Sequence, residues 1–486
     1  MLSSFGSLNT ALTTLHAMQK SIQTSSHNVA NASTPGYSRQ QATLVTGTPY
    51  TVPSSNRYHT FGQIGTGVNV EKMQRFRSAF LDSQIRNETL RKEGWAVRQN
   101  ALQQIEVSFN EPSDTGINSR LSSFWSAWNN LATTPDSAAT RGTVVESAAD
   151  LTAALRDTYR QLQDFQTELD DQVAIQVQSI NDLANRIADL NSTIRDVQGL
   201  GQQPNDLRDE RDLLLTELAG YINIDAHEGE NGSVMVSLGG KLLVMDHIAS
   251  ELAVEPDAGN GTLNRIIWAD TGAVVQVASV SLEGGLSNLA PDRLGGKLGG
   301  TLIARDLILP DKMDALDDIA DALISSVNNL HQTSYGLDGS TGWDFFTGTG
   351  ARDIDVSSDI KADHNRIAAS ASAGGVPGDG AMALEISRLE NASLLNNGTT
   401  TIVDYYRADM AKLGQEAQQA NVMFTNQELL VQHLENRQEE IAGVSLDEET
   451  VNLLQYQRTY QAAARVMTVV DEMLDKVING MGLVGR

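Results

Sequence analysis

The sequence predicts a mainly α fold with an inserted β domain. A long helical bundle makes a rod, and one helix from each end of the chain joins a terminal coiled-coil pair. Three observations carry this reading. Apolar residues recur at alternating three- and four-residue steps throughout residues 148–197. Similar stripes occupy both ends of the chain. Across residues 222–308 the pattern changes to short β-branched runs between glycines, the signal of small antiparallel strands.

Residues 2–32 place Phe5, Leu8, Leu12, Leu15, Ile22 and Val29 on one heptad stripe, interrupted by Gln19 and Ser26. The opposite face is Ser-, Thr-, Asn- and Gln-rich with little charge, which suits packing on neighbours better than solvation. Thr34-Pro35-Gly36 stops the helix, because the residue before a proline is pushed out of the helical region. Residues 40–70 read as extended structure and loops. Helical periodicity resumes near Met73 and runs to Phe109, and a shorter helix carrying Phe124, Trp125 and Trp128 ends by Pro135.

The central stripe runs through Ala148, Leu151, Leu155, Leu162, Leu169, Val173, Ile180, Ile187 and Ile194, with one extra four-residue step at Leu169 to Val173. Such a step corrects the drift of a strict heptad along a straight helix. At about 1.5 Å per residue, this stretch makes a rod of roughly 75 Å. Gly199, Gly201 and Pro204 close it. Val234-Met235-Val236, Leu242-Leu243-Val244 and Ile266-Ile267-Trp268 are the strands of the insertion. Helix returns over 311–331, and residues 335–380 form a Gly- and Asp-rich connection anchored by Trp343, Phe345 and Phe346. Helices fill most of 382–481. The last stripe, Leu453, Tyr456, Tyr460, Ala463, Met467, Val470, Leu474, Val477 and Met481, has no interruption. The expected division is therefore 1–33 with 443–486 as a terminal helical domain, 34–220 with 310–442 as a long-helix bundle, and 221–309 as the β insertion.

Composition excludes several classes of function. The 486 residues carry a formal charge of −26 without a basic stripe, which argues against nucleic acid as a partner. Cysteine is absent, so thiol catalysis, thiolate metal sites and disulfides are excluded. The sequence has no apolar run of membrane-spanning length, and its N-terminus lacks the basic and apolar regions of a cleavable signal peptide. An unsignalled exit route or a cytoplasmic location is expected.

Two motifs flank the terminal stripes. Ser26-His27-Asn28-Val29-Ala30-Asn31-Ala32-Ser33-Thr34-Pro35-Gly36-Tyr37 continues as Ser38-Arg39-Gln40. Near the other end, Gly443-Val444-Ser445-Leu446-Asp447-Glu448-Glu449 leads to Asn452-Leu453-Leu454-Gln455-Tyr456-Gln457. Together they resemble the signatures of the flagellar rod, hook and hook-associated axial proteins, and Tyr37-Ser38-Arg39-Gln40 is more like the hook-associated members. The resemblance implies a structural subunit between hook and filament, whose paired terminal helices line an inner tube. It implies export through the flagellar type III apparatus without signal cleavage, and an extracellular location at the hook–filament junction. The implied partners are further copies of the chain, the hook protein, a second junction protein, and an export chaperone on the C-terminal helices. Phe5 to Val29 and Leu453 to Val477 then form the assembly interface. Asn28, Asn31, Pro35, Gly36, Tyr37, Ser38, Arg39, Gln40, Leu446, Asp447, Glu448 and Glu449 carry the signature.

The residues explain part of that signature directly. Asn28 and Asn31 can bond backbone as the helix ends, Pro35 prevents its continuation, and Gly36 permits a positive φ. Tyr37, Tyr456 and Tyr460 pair apolar rings with polar tips and suit a subunit contact. No phosphate loop, zinc-binding His pair or nucleophile elbow is present, so no catalytic residue, metal or cofactor is expected. His227 beside Asp225, Glu228 and Glu230 reads as a solvated turn, and Asp314, Asp317, Asp318 and Asp321 as a solvated helix face. The alternatives are another axial protein, hook or distal rod, and a hydrolase borne on a flagellar scaffold, for which paired carboxylates are missing.

Overall fold

The computed structural model describes residues 2–49, 65–275 and 295–480. Helix α1 (Leu2–Ala30) leads into an antiparallel hairpin of β1 (Gln40–Thr46) and β2 (Val68–Arg75). Four helices follow: α2 (Ala79–Phe109), α3 (Ile117–Thr133), α4 (Ala138–Gly199) and α5 (Asn205–Tyr221). Strands β3 (Ile224–Glu228), β4 (Val234–Leu238), β5 (Lys241–Met245) and β6 (Ile248–Ala249) form one antiparallel sheet. Strands β7 (Leu252–Pro256) and β8 (Asn264–Trp268) form another. Helix α6 (Gly296–Ile303) runs through a π turn into α7 (Leu309–Gln332). A connection with β9 (Phe346–Thr347), β10 (Asp355–Val356), α8 (Ser358–Ala362) and α9 (Ala381–Arg388) precedes α10 (Ile402–Ala442) and α11 (Leu446–Asp475).

Local chemistry sets the helix starts. Ser78, Ser137, Thr401 and Ser445 each accept the free amide of the third helical residue, which satisfies a donor that the helix itself leaves open. The fold is mainly α with a small β region, as the periodicity predicts.

Helix α4 is 62 residues long, about 93 Å, and serves two separate hydrophobic cores. Its first half, to Leu169, packs with α3, α7, α9 and the start of α10 around Trp125, Trp128, Phe345 and Phe346. From Val173 onward it packs with α5 and the β strands around Val236, Val244 and Trp268. The extra four-residue step at Leu169 to Val173 therefore falls where the helix passes from one core to the other. Two asparagines of α4 fasten the strands by imitating backbone. Asn181 donates to Leu252 O and accepts from Leu252 N, at 2.8 and 2.9 Å. Asn191 accepts from Val234 N at 2.9 Å and donates to Val234 O and Asp246 O.

Three stretches differ from the sequence reading. Residues 68–75 are strand, because Val68 to Arg75 pairs with β1, and helix begins only after the Ser78 cap. Helix also starts at Gly296, ahead of residue 311, in a glycine-rich run that composition disfavours. Close packing explains that second case. A methyl group built on Gly300 would lie 2.8 Å from Gly94 O and 3.0 Å from Val97 Cβ. Gly300→Ala should therefore separate α2 from α6 and cost about 1–3 kcal/mol. Urea unfolding checks this, and an unchanged midpoint would show that the helices can part freely. Asp317 and Asp318, finally, are not merely solvated. Asp317 accepts Ala351 N–H at 2.7 Å and Asp318 accepts the Tyr405 hydroxyl at 2.8 Å.

Candidate functional site

Helices α1 and α11 lie side by side, apart from both hydrophobic cores, neither of which draws a described residue from them. They run antiparallel. Thr10, Ala11 and Thr14 share the wall of a cavity of about 760 Å³ with Thr459, Ala462 and Ala463, while Ser25 lies near Asn452 and Tyr456. The β1–β2 hairpin packs on another side of α1, where Thr24 Oγ1 reaches Met73 S at 3.6 Å.

The buried stripe of α1 sits one residue round from the expected one. Ala11, Met18, Ser21, Ser25 and Asn28 are buried. Leu12 and Val29 are exposed, and Leu8, Leu15 and Ile22 are half-buried. Small residues let helix and hairpin approach closely, and Ser21 satisfies its hydroxyl on Ala17 O one turn back. On α11, Ala463 and Val470 are buried, and Leu453, Tyr456, Met467 and Leu474 are half-buried. Tyr460 and Val477 are exposed, and so are Val451, Leu454, Val466, Val469 and Met473, of which Val466 lines the cavity shared with α1. The Phe5 side chain and residues 481–486 lie outside the described residues.

The signature residues form a joint where the two ends meet the body. Asn28 is buried and clamps the returning chain, donating to Gln40 O at 2.8 Å and accepting from Gln40 N at 3.0 Å. Its Oδ1 also accepts the Tyr37 hydroxyl at 2.8 Å. Burial, with Asp206 nearby, pushes the Tyr37 phenol above its ordinary value, so it stays a donor. Asn31 donates to His27 O, capping the helix end, Pro35 is exposed, and Gly36 takes φ +77. Arg39 joins the two ends of the chain. Its Nε bonds Glu449 Oε1 at 2.9 Å, its Nη1 lies 3.3 Å from Glu448 Oε2, and its N–H donates to Ala442 O at 2.7 Å. Glu449 is buried, whereas Leu446, Asp447 and Glu448 face outward.

The body's half of the joint is a buried ion-pair cluster. Ser38 donates through both N–H and Oγ to Asp209, at 2.9 and 2.8 Å. Asp209 also receives Arg75 at 2.9 Å and Arg77 at 3.5 Å, and Asp212 receives Arg75 at 2.8 Å. Gln40 bonds Asp206 and Asn205. Burial pushes the Asp209 carboxyl up, against the pull of Arg75 and Ser38. Sequence reasoning missed these partners, although Asp206, Asp209 and Asp212 are spaced by three and must share a helix face. Among the described residues no group of three His, Asp or Glu side chains is placed to hold a metal ion. No described helix is long and apolar enough to cross a membrane.

The family model of the flagellar hook-associated protein FlgK helical domain matches residues 102–346. That of the flagellar basal body rod FlgEFG protein C-terminal matches residues 437–480, the stretch that holds Glu448 and Glu449. A Bacillus subtilis (strain 168) protein named flagellar hook-associated protein 1 is 32% identical over 517 residues, spanning 100% of both chains. The chain belongs to the flagellar hook-associated protein 1 family. A family member from Salmonella typhimurium is 24% identical over 97% of this chain and 99% of its own. The solved structure of the flagellar hook junction protein FlgK from Burkholderia pseudomallei superposes with a TM-score of 0.63. It covers 74% of this chain and 100% of that one at 15% identity, and it shares the fold.

Proposed function

We propose that this chain is a structural, non-catalytic subunit that joins the hook of the bacterial flagellum to its filament. It polymerises through α1 and α11 after passing unfolded through the type III export apparatus, and it works outside the cell at the hook–filament junction. The observation that supports this most is the full-length likeness to flagellar hook-associated protein 1. The meeting of the two end signatures at Arg39 and Glu449 adds to it. The pair α1–α11 leaves Leu12, Val29, Leu454, Val469 and Met473 uncovered, so neighbouring copies gain apolar burial by adding to it. Further partners in this reading are the hook protein on one side, a second junction protein on the other, and an export chaperone on α10 and α11. Domain boundaries follow the same logic, with the terminal pair, the long-helix bundle and the β insertion as three units.

Deleting the gene and viewing the cells by electron microscopy tests the reading. Hooks without filaments, with flagellin shed into the medium, are the expected result. Hookless cells or intact filaments would sink it.

A further inference from the structure

A cavity of about 590 Å³ opens beside the joint, between β2, the start of α2, α5 and the first strands of the β layer. Arg75, Arg77, Arg86, Arg208 and Lys72 all line it, in a chain whose formal charge is −26. Arg75 and Arg77 are committed to Asp82, Asp209 and Asp212. Arg86 has no such partner among the described residues. It stands one helical turn after Asp82, a spacing that normally forms an ion pair. Both Asp82 oxygens are already taken, Oδ2 by Arg77 Nε and Oδ1 by Gln438. Burial pushes the Arg86 guanidinium below its ordinary value, against the pull of Asp82, Asp212 and Asp225 and with Arg77 adding repulsion. Arg208 is also incompletely used. Its Nη2 bonds Gln198 at 3.0 Å and lies 3.7 Å from Glu228, but its Nε is buried without an acceptor.

The Arg86 guanidinium is half-buried in the cavity wall and keeps its donors without a protein acceptor among the described residues, and its planar fork matches the oxygens of carboxylate or phosphate. We propose that this cavity binds a multivalent oxyanion, held by the Arg86 guanidinium, with Arg208 and the exposed Lys72 adding positive charge to its wall. Clustered carboxylates of a neighbouring protein and phosphate groups from solution present the same oxygens, and the site is of a size to admit either.

The test is titration calorimetry of the full chain with sodium pyrophosphate and, separately, with sodium citrate, at ionic strength matched by sodium chloride. At least one anion should bind, and Arg86→Gln should weaken it about tenfold, the loss of one charge-assisted bond. Lys241→Gln, on the β layer and outside the cavity, should bind as the parent does. Because Arg86 is unpartnered, Arg86→Gln should melt at the parental temperature in chloride alone, which a purely structural arginine would not allow. Should that variant fail to fold, Lys72→Gln, exposed at the mouth, should still weaken binding about threefold. Tighter citrate assigns the site to protein carboxylates, and tighter pyrophosphate to phosphate. Absence of binding by both anions, or equal affinity in the parent and the variants, overturns the proposal.

Discussion

Asp209→Ala should detach the terminal helices from the body and cost about 3 kcal/mol of stability, measured by urea unfolding. The carboxylate is buried and holds three partners at once: Ser38 from the signature loop, Arg75 from β2 and Arg77 beyond it. Removing it leaves Arg75 with Asp212 alone and Arg77 with Asp82 and Asp212, so two partly buried guanidinium groups lose an acceptor together. Burial raises the Asp209 pKa even with these partners, so the cluster is a costly arrangement that works through geometry more than through net attraction. Its value lies in fixing where α1 and α11 leave the body. Amide exchange in α1 and α11 should accordingly rise in the variant, while the core of α3 and the first half of α4 stays protected. A loss under about 0.5 kcal/mol, typical of a surface change, would show that the joint is held elsewhere.

How far the sequence reveals this design differs between its parts. The rod was legible because α4 buries one continuous stripe, and even its phase step at Leu169 to Val173 marks a physical boundary between two cores. The C-terminal stripe was legible in part, since Ala463 and Val470 are buried and Leu453, Tyr456, Met467 and Leu474 half-buried, while Tyr460 and Val477 stay exposed. On α1 hydrophobicity misled. Its packing face uses Ala11, Ser21 and Ser25, chosen for size, and leaves Leu12 and Val29 outside. A monomer's sequence pattern reports every surface that is eventually buried, including those that other subunits cover, so the largest apolar residues need not mark the internal contact. Signature positions were recognisable as such, but their partners were not. Nothing near Ser38 in the chain announces Asp209, 171 residues away, and only folding brings the two together. Likewise Lys312, fully buried between α7 and α10, is made tolerable by Asp409 and Asp311, a pairing that no local pattern encodes.

Acid should loosen the larger core through His331. Its ring is buried beside Trp128 and Phe345, with centroids 6.5 and 5.5 Å away. Nδ1 meets Trp343 O at 2.6 Å and can only donate there, while Nε2 accepts from Ala368 N at 2.9 Å. Both nitrogens of the neutral ring are thus used, and a second proton would displace the Ala368 bond and place charge among aromatic side chains. Burial pushes the His331 pKa from 6.5 down to about 4. Between those values the unfolded chain holds the proton and the folded chain does not, so stability is whole above 6.5 and falls as pH drops toward 4. The loss from this group reaches about 3 kcal/mol at most and then levels off. His331→Gln keeps a donor and an acceptor but cannot titrate. Parent and variant compared by urea unfolding at about pH 7.5 and about pH 4.5 isolate the effect from the many carboxylates that titrate in both. The parent should lose more stability than the variant over that interval. Parallel losses would mean that the core admits the imidazolium and that its acid sensitivity lies in the carboxylates.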